Sequence, residues 1–237
     1  MRRLNLHRLA PLTAALIVAI VTASCGQSTP APEAPSPTVS EAPPEPPPEP
    51  PPAPKANSQE ITTHGIGPAQ LGLTLSELQT LLGPRTTYIT QSPFLADFDA
   101  IAVRQNGDIL FHILHLAGEP MGPEDIIQGV LTANPAYKTA GGVGVGTPIA
   151  EAEARYGDAT LSRHAANSAL EYVQFQDPPA ANISFGTQPA DALSAQDYAG
   201  LYPEGASDYQ ETTEYRPDAT IGSVLVVCLN ETCAGES

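Results

Sequence analysis

A pattern of 13 residues occurs twice in this chain and limits the folds that it can adopt. It runs from Leu71 to Gly83 and again from Val145 to Gly157, 74 residues later. Both copies place an aliphatic residue before a glycine, a second aliphatic residue three positions after it, a glutamate two positions later and a closing glycine. Because each copy should form the same supersecondary unit, we expect two related halves.

Each copy predicts a short helix. Thr74 can cap the first helix, and Glu77 three residues later completes a capping box. In the second copy Thr147 can cap the helix, and Pro148 suits the first turn because its missing N–H has no partner there. A closing glycine suits the end of each helix. A helix of about nine residues is marginal in water by itself, so both helices should pack on a sheet.

Strand patterns follow each helix. Asn106 and Gly107 predict a tight hairpin turn, and the almost continuous apolar run 221–229 predicts a central, covered strand. Further strands are predicted at residues 86–90, 100–104, 109–116, 160–163, 170–175 and 183–186. The sequence therefore predicts an α+β fold. It consists of two tandem repeats, about residues 58–135 and 136–237, each a short helix packed on an antiparallel β-meander.

The repeated helix signature resembles two groups of secreted bacterial modules. In its first copy it reads Gly72, Thr74, Glu77, Leu78 and closing Gly83. It is similar to outer-membrane small lipoproteins of the SmpA/OmlA type and to tandem-repeat beta-lactamase inhibitor proteins. The resemblance implies an interaction module rather than an enzyme. It assigns no binding residue, because nothing outside the signature matches.

The amino terminus predicts export and a lipid anchor. A basic start and the apolar run 12–21 fit a signal peptide, since a spanning helix needs about 20 apolar residues. Residues 22–25 (TASC) resemble the lipobox of bacterial lipoproteins, although Thr22 stands where a larger aliphatic residue is commoner. The resemblance implies removal of residues 1–24 and acylation of Cys25, which attaches the protein to a membrane. The alternative is an ordinary signal peptide with a chance cysteine.

The segment that follows cannot build a core. Residues 26–57 hold 13 of the 26 prolines and few apolar side chains. Residues 25–57 are therefore predicted to be a lipidated cysteine and a disordered, proline-rich tether before a domain at 58–237. The tether is a spacer, a ligand for a proline-binding groove or a wall-spanning segment. No aspartate follows Cys25, which favours the outer membrane or cell surface, with a periplasm-facing location left open.

Charge and cysteine content limit the partners. The formal net charge of −16 argues against nucleic acid, whose phosphates are bound by Lys and Arg. It is compatible with plain solubility, with cationic partners or with divalent cations. Once Cys25 is acylated, Cys228 and Cys233 remain, and in an oxidising compartment they should form a disulfide. Their spacing is wider than that of thioredoxin-like redox pairs.

No catalytic or metal-binding motif stands out. The chain has no Gly-x-Ser-x-Gly or Ser-x-x-Lys sequence. His112 and His115 lie three apart on a predicted strand and should point to opposite faces, so they should not share a metal. We expect no catalytic residues, no metal site and no cofactor.

An insertion at residues 188–220 is the main candidate for a binding loop. It is acidic and carries four tyrosines, Tyr198, Tyr202, Tyr209 and Tyr215, a residue type common in binding surfaces. Three interpretations of this segment stay open: a featureless acidic insertion, a partner-binding loop and a cation site.

Together these features predict a membrane-anchored bacterial envelope lipoprotein. It would act as a non-catalytic protein-interaction or scaffolding module with an envelope protein as partner. The alternative function is a periplasmic or surface sensor that binds a small molecule or a cation. The third and less favoured possibility is a hydrolase. The sequence does not indicate the oligomeric state.

Overall fold

The computed structural model describes residues 55, 58–95, 97–164, 170–188, 198–203 and 208–229. All of them lie in the unit Pro50–Ser237. The predictions for the signal peptide, for acylation of Cys25 and for the tether apart from Lys55 fall outside the described residues, as does Cys233. None of the described helices is long and apolar enough to cross a membrane.

Thirteen strands and two helices make up the described part of the domain. In chain order they are β1 (Glu60–Thr62), β2 (Gly65–Ile66), β3 (Ala69–Gln70), α1 (Leu75–Leu82), β4 (Thr86–Leu95), β5 (Phe98–Gln105), β6 (Asp108–Leu116), β7 (Gly129–Thr132), β8 (Lys138–Thr139), α2 (Ile149–Tyr156), β9 (Ala159–His164), β10 (Glu171–Phe175), β11 (Ile183–Gly186), β12 (Tyr209–Thr212) and β13 (Ser223–Val227).

Nine of these strands form one antiparallel sheet. Its order is β12-β9-β10-β11-β13-β7-β6-β5-β4. The strands after α1 and the strands after α2 form adjoining blocks, which meet where β7 pairs with β13. The other four strands form a small sheet, β3-β2-β1-β8, in which β1 and β8 are parallel. The predicted central strand at 221–229 is confirmed, because β13 lies between β11 and β7.

The predicted α+β class, with two helix-on-meander repeats, is wrong. Strands account for 46% of the described residues and helices for 10%, so the domain is mainly β. Both copies of the signature do form a short helix, of eight residues where about nine were expected, but two such helices make up little of the domain. The dominant element is instead the continuous antiparallel sheet, whose pairing runs through both halves of the domain.

Both helices cover one face of the large sheet. Side chains from α1, α2 and the small sheet pack with those of the large sheet in one core. Along β6, Phe111 and Ile113 point into this core, whereas Leu114 belongs to a second, smaller cluster on the opposite face. That cluster also contains Phe94, Ala100 and Leu131. The sheet therefore has a thickly covered first face and a thinly covered second face.

The two helix starts differ. The predicted capping box is confirmed at α1, where the Thr74 hydroxyl accepts from the Glu77 N–H and the Glu77 carboxylate accepts from the Thr74 N–H. At α2 the predicted Thr147 cap is wrong, because Pro148 occupies the cap position without a side-chain hydrogen bond. The Thr147 hydroxyl instead accepts from the Gly144 N–H and from the Lys138 ammonium.

Candidate functional site

A groove of about 520 Å³ crosses the second face of the large sheet. We call it the second-face groove. Its apolar walls come from β5, β6, β10 and β13 and include Phe98, Leu114, Leu116, Tyr172, Leu225 and Val227. Ligand sites in proteins have volumes of about 300–1,000 Å³, so the groove has the size of a binding site.

Strand alternation places these side chains together. Val224 and Val226 of β13 point into the main core, so Leu225 and Val227 point to the second face. The same alternation on β10 buries Val173 and leaves Tyr172 on the groove. Antiparallel sheets with one solvated face usually carry polar residues there. Here the described residues of the second face around the groove are largely apolar.

The end of β4 covers only part of this face. The register between β4 and β5 shifts between Gln91 and Leu95. Within this irregular stretch Phe94 is buried and stacks on His112, with 4.7 Å between the ring centroids. Toward β10 and β13 the described residues provide less cover, and Leu116 is 53% exposed. Phe98 and Tyr172 are also exposed, so three large apolar side chains surround one groove.

One end of the groove is polar. Asp97 and His115 lie there, and Asp99 is opposite His115 in the β5–β6 register. A hydrogen bond from the Ser92 side chain, the Gly118 N–H at 3.1 Å and the nearby His115 together lower the pKa of Asp99 below its usual value. The Asp99 carboxylate therefore stays ionised at neutral pH, but Asp99 does not line the groove. The carboxylate in the lining is that of Asp97, which favours cationic over anionic groups at this place.

A second, smaller pocket adjoins the groove. This pocket holds about 40 Å³ and shares Leu170, Tyr172 and Leu225 with the groove. Leu131 and Ser184 lie at its far side. The apolar surface therefore continues from the groove toward the centre of the sheet.

The insertion is fixed to the sheet by one buried carboxylate. Glu171 of β10 is only 1% exposed. It accepts hydrogen bonds from the backbone N–H groups of Ala199 at 2.7 Å and Gly200 at 2.9 Å. The hydroxyls of Thr187 and Tyr202 also donate to it, at 2.5 and 2.9 Å. Four donors from the insertion and its entry thus satisfy a charge that would otherwise be costly to bury.

The four predicted partner-binding tyrosines do not form one surface. The rings of Tyr198 and Tyr202 pack edge-to-face and both lie against the Arg163 guanidinium, at 4.5 and 4.9 Å. Burial and the charge of Glu171 raise the pKa of Tyr202. These two tyrosines therefore hold the insertion against β9 and β10.

The other two tyrosines lie elsewhere. The Tyr215 hydroxyl donates to Glu153 of α2 at 2.7 Å, and burial raises the pKa of Tyr215 to about 12. Tyr209 begins the edge strand β12, and its hydroxyl donates to Glu211. That hydrogen bond raises the pKa of Tyr209. The insertion thus contributes an edge strand and packing contacts, while the residues around the groove come from the rest of the domain.

The remaining predicted positions are spread over the structure. His112 stacks on Phe94 of the second cluster, and His115 lines the second-face groove, so the opposite faces expected from their spacing stay a prediction. Among the described residues, no group of His, Cys, Asp or Glu side chains could hold a metal ion. Cys228 lines the groove and is disulfide-bonded. Its predicted pairing with Cys233 stays a prediction, because residue 233 lies outside the described residues.

The groove itself was not predicted from the sequence. A signal for it is present in β6, where apolar residues occupy both alternating positions from Leu110 to Leu116. The same holds for residues 224–227 of β13. Such runs fit a strand buried on both sides, and here the second side is only partly covered.

No family model, no curated protein and no solved structure matches this chain. The resemblances to lipobox proteins and to the two groups of secreted modules therefore stay predictions.

Proposed function

We propose that this protein is a lipid-anchored protein of the bacterial cell envelope that binds a partner protein, without catalysis, through the second-face groove. The observation that carries the proposal is the clustering of Phe98, Leu116 and Tyr172, all exposed, around one groove. Large apolar side chains gathered at one concave surface are typical of interaction sites, whereas single exposed ones are common everywhere. The partner would insert apolar side chains and place a cationic group near Asp97.

Non-catalytic binding suits the chemistry of the lining. The titratable residues that line the groove are Asp97, His115, Tyr172 and Cys228. Cys228 is disulfide-bonded and cannot act as a thiol nucleophile. A nucleophile next to an oriented base, the usual requirement for covalent catalysis, is not formed by these four residues. The apolar walls supply the favourable energy, and the polar end supplies orientation.

A small apolar molecule is a second candidate for the occupant. The groove volume of about 520 Å³ and the adjoining pocket favour it. A protein partner is preferred because Phe98, Leu116 and Tyr172 are exposed together, as apolar side chains of protein-interaction patches are.

We expect Leu116→Asp to abolish partner capture. The change places a carboxylate in the wall of the groove beside apolar groups, which opposes burial by a partner. Residues central to an interface cost about 2 kcal/mol or more when lost, or about 30-fold in affinity. The measurement is photo-crosslinking of the full-length protein in solubilised envelopes, followed by titration of the captured partner.

Leu201→Asp is the matched control, because Leu201 is 51% exposed and lies outside the groove lining. It should keep wild-type capture. Equal loss in both variants, or in neither, would rule out the groove as the contact. If an apolar fluorescent probe binds the wild type and not Leu116→Asp while no protein is captured, the small-molecule candidate replaces the protein partner.

We expect Cys25→Ser to prevent lipid attachment. The hydroxyl cannot form the thioether on which lipoprotein processing depends, so an alkyne-labelled fatty acid should mark the wild type and not the variant. The variant should also keep its signal segment and migrate as a larger precursor. Ser24→Ala is the control, since the lipobox pattern tolerates alanine there. An unlabelled wild-type protein would refute the anchor and leave the groove proposal intact.

A further inference from the structure

The two edges of the large sheet are built very differently. One edge is β12, which has four residues and carries Glu211. The other edge is β4, which has ten residues and no charged side chain. We call residues 86–91 the β4 edge segment, because all six pair in regular register with β5 before the register shift.

Exposed strand edges attract further strands. An edge strand presents a row of backbone N–H and C=O groups without partners, and proteins usually protect it with charges, proline or short length. The β12 edge has two of these protections, shortness and charge. The β4 edge segment has none, since the first proline of the strand is Pro93. Ile89, in its middle, is 44% exposed.

We propose that the β4 edge segment pairs antiparallel with the same segment of a second copy of this chain. The pairing would be two-fold symmetric and would join two nine-stranded sheets into one. Because the segment contains no charged residue, no register of the pair places like charges opposite each other. This surface is distinct from the second-face groove, so the proposal is independent of the proposed function.

The properties of the β12 edge favour a dimer over open-ended assembly. A two-fold pairing uses the same surface on both copies and therefore closes after two. Continued growth of the sheet would require β12, whose short length and Glu211 oppose pairing. The net charge of −16 per chain works against association at long range. Dimerisation should therefore strengthen as salt rises.

Single cysteines test the contact directly. Each position from 86 to 91 is replaced by cysteine in turn in the purified full-length protein, which is then exposed to a mild oxidant. In a two-fold antiparallel pair, a residue lies opposite the same residue of the other copy only at the centre of the pair. There the two Cα atoms are about 5 Å apart. The expected result is a crosslinked dimer at one position or at two adjacent ones. Tyr209→Cys, on the opposite edge, should stay monomeric.

A charge placed at the edge supplies the second test. Ile89→Lys should raise the dissociation constant of the dimer about tenfold or more, measured by light scattering of the full-length protein at several concentrations. Tyr209→Lys is the matched control, because Tyr209 is 51% exposed on the other edge. Thermal unfolding of each variant shows whether it is folded, and Thr87→Lys replaces Ile89→Lys if that variant unfolds.

The other outcomes overturn the proposal. A wild-type protein that is monomeric at every concentration and salt, with no crosslink in the scan, excludes pairing at this edge. A ladder of higher oligomers indicates open-ended assembly rather than a two-fold dimer. A crosslink to a different protein in crude extract, with none between copies, identifies the edge as a site for a foreign strand.

Discussion

Glu171→Ala is expected to detach the insertion and to destabilise the domain by about 3–5 kcal/mol. The carboxylate is the shared acceptor for two backbone N–H groups and two hydroxyls from residues 187–202. Alanine leaves all four donors without their acceptor in a buried place, and each such loss costs about 1–3 kcal/mol before relaxation. It also removes the negative charge beside Arg163, which pairs with residue 171 across β9 and β10.

The stability change would be measured by urea unfolding, and the detachment by limited proteolysis of residues 198–203. Glu171→Gln keeps the shape but replaces one acceptor oxygen by a donor, so an intermediate loss is expected. Glu151→Ala, an exposed glutamate on α2, is the control and should change stability by less than about 0.5 kcal/mol. If Glu171→Ala and the control were equally stable, the carboxylate would not hold the insertion.

The second large effect is expected at Phe185. This buried ring of β11 packs against Phe175 and Tyr156, with centroids 5.4 and 6.1 Å apart. Phe185→Ala removes the centre of this cluster and should cost about 3–5 kcal/mol, because the surrounding rings cannot fully fill the cavity. The measurement is again the urea midpoint, followed by circular dichroism.

Tyr172→Ala separates packing from binding. Tyr172 lies on the strand next to Phe185 but points to the groove and is exposed. We expect its loss to change stability by less than about 1 kcal/mol and to weaken partner capture. Phe185→Ala, measured where it is still folded, should keep capture. If Tyr172→Ala instead lowered stability strongly while Phe185→Ala weakened only capture, the second face, and not the first, would hold the main core.

Local signals in the sequence predicted much of the main sheet. The Asn106 and Gly107 turn is confirmed, with φ of 55° and 96° at the two residues. The first capping box is confirmed because its two hydrogen bonds are formed within four residues of chain. The long apolar run of β13 predicted a central strand because both sides of the strand must be covered. These features depend on neighbours along the chain.

Other parts of the fold depend on distant residues. Strands β2, β3 and β8 have two residues each, too few for any periodicity, and the whole small sheet went unpredicted. The fold class was wrong because a repeated helix signature carries no information on how the strands of the two halves pair into one sheet. The groove was not predicted because its walls come from four strands. The alternation of apolar residues within a strand does not show which strands are neighbours in the sheet.

In the insertion, too, the decisive contacts are made by residues that are distant in the sequence. Composition marked residues 188–220 as tyrosine-rich, and tyrosine serves equally well in packing and in binding. What fixes the segment is Glu171, a single glutamate in a strand pattern that looked regular. Its role becomes visible only when Ala199 and Gly200 are seen to point their N–H groups at it.

The pairing of β7 with β13 has a consequence for how the chain reaches its native state. Val224 pairs with Thr132, and Val226 with Val130, so the two blocks of the sheet join only when the last strand arrives. Contacts between residues so far apart in sequence must wait for a large loop to close, and proteins dominated by such contacts fold slowly, in about milliseconds to seconds. Until then Val130 and Leu131 lie on an open edge. A chain that stops before residue 223 keeps that edge, so we expect carboxy-terminal truncations to aggregate rather than to yield a smaller folded domain.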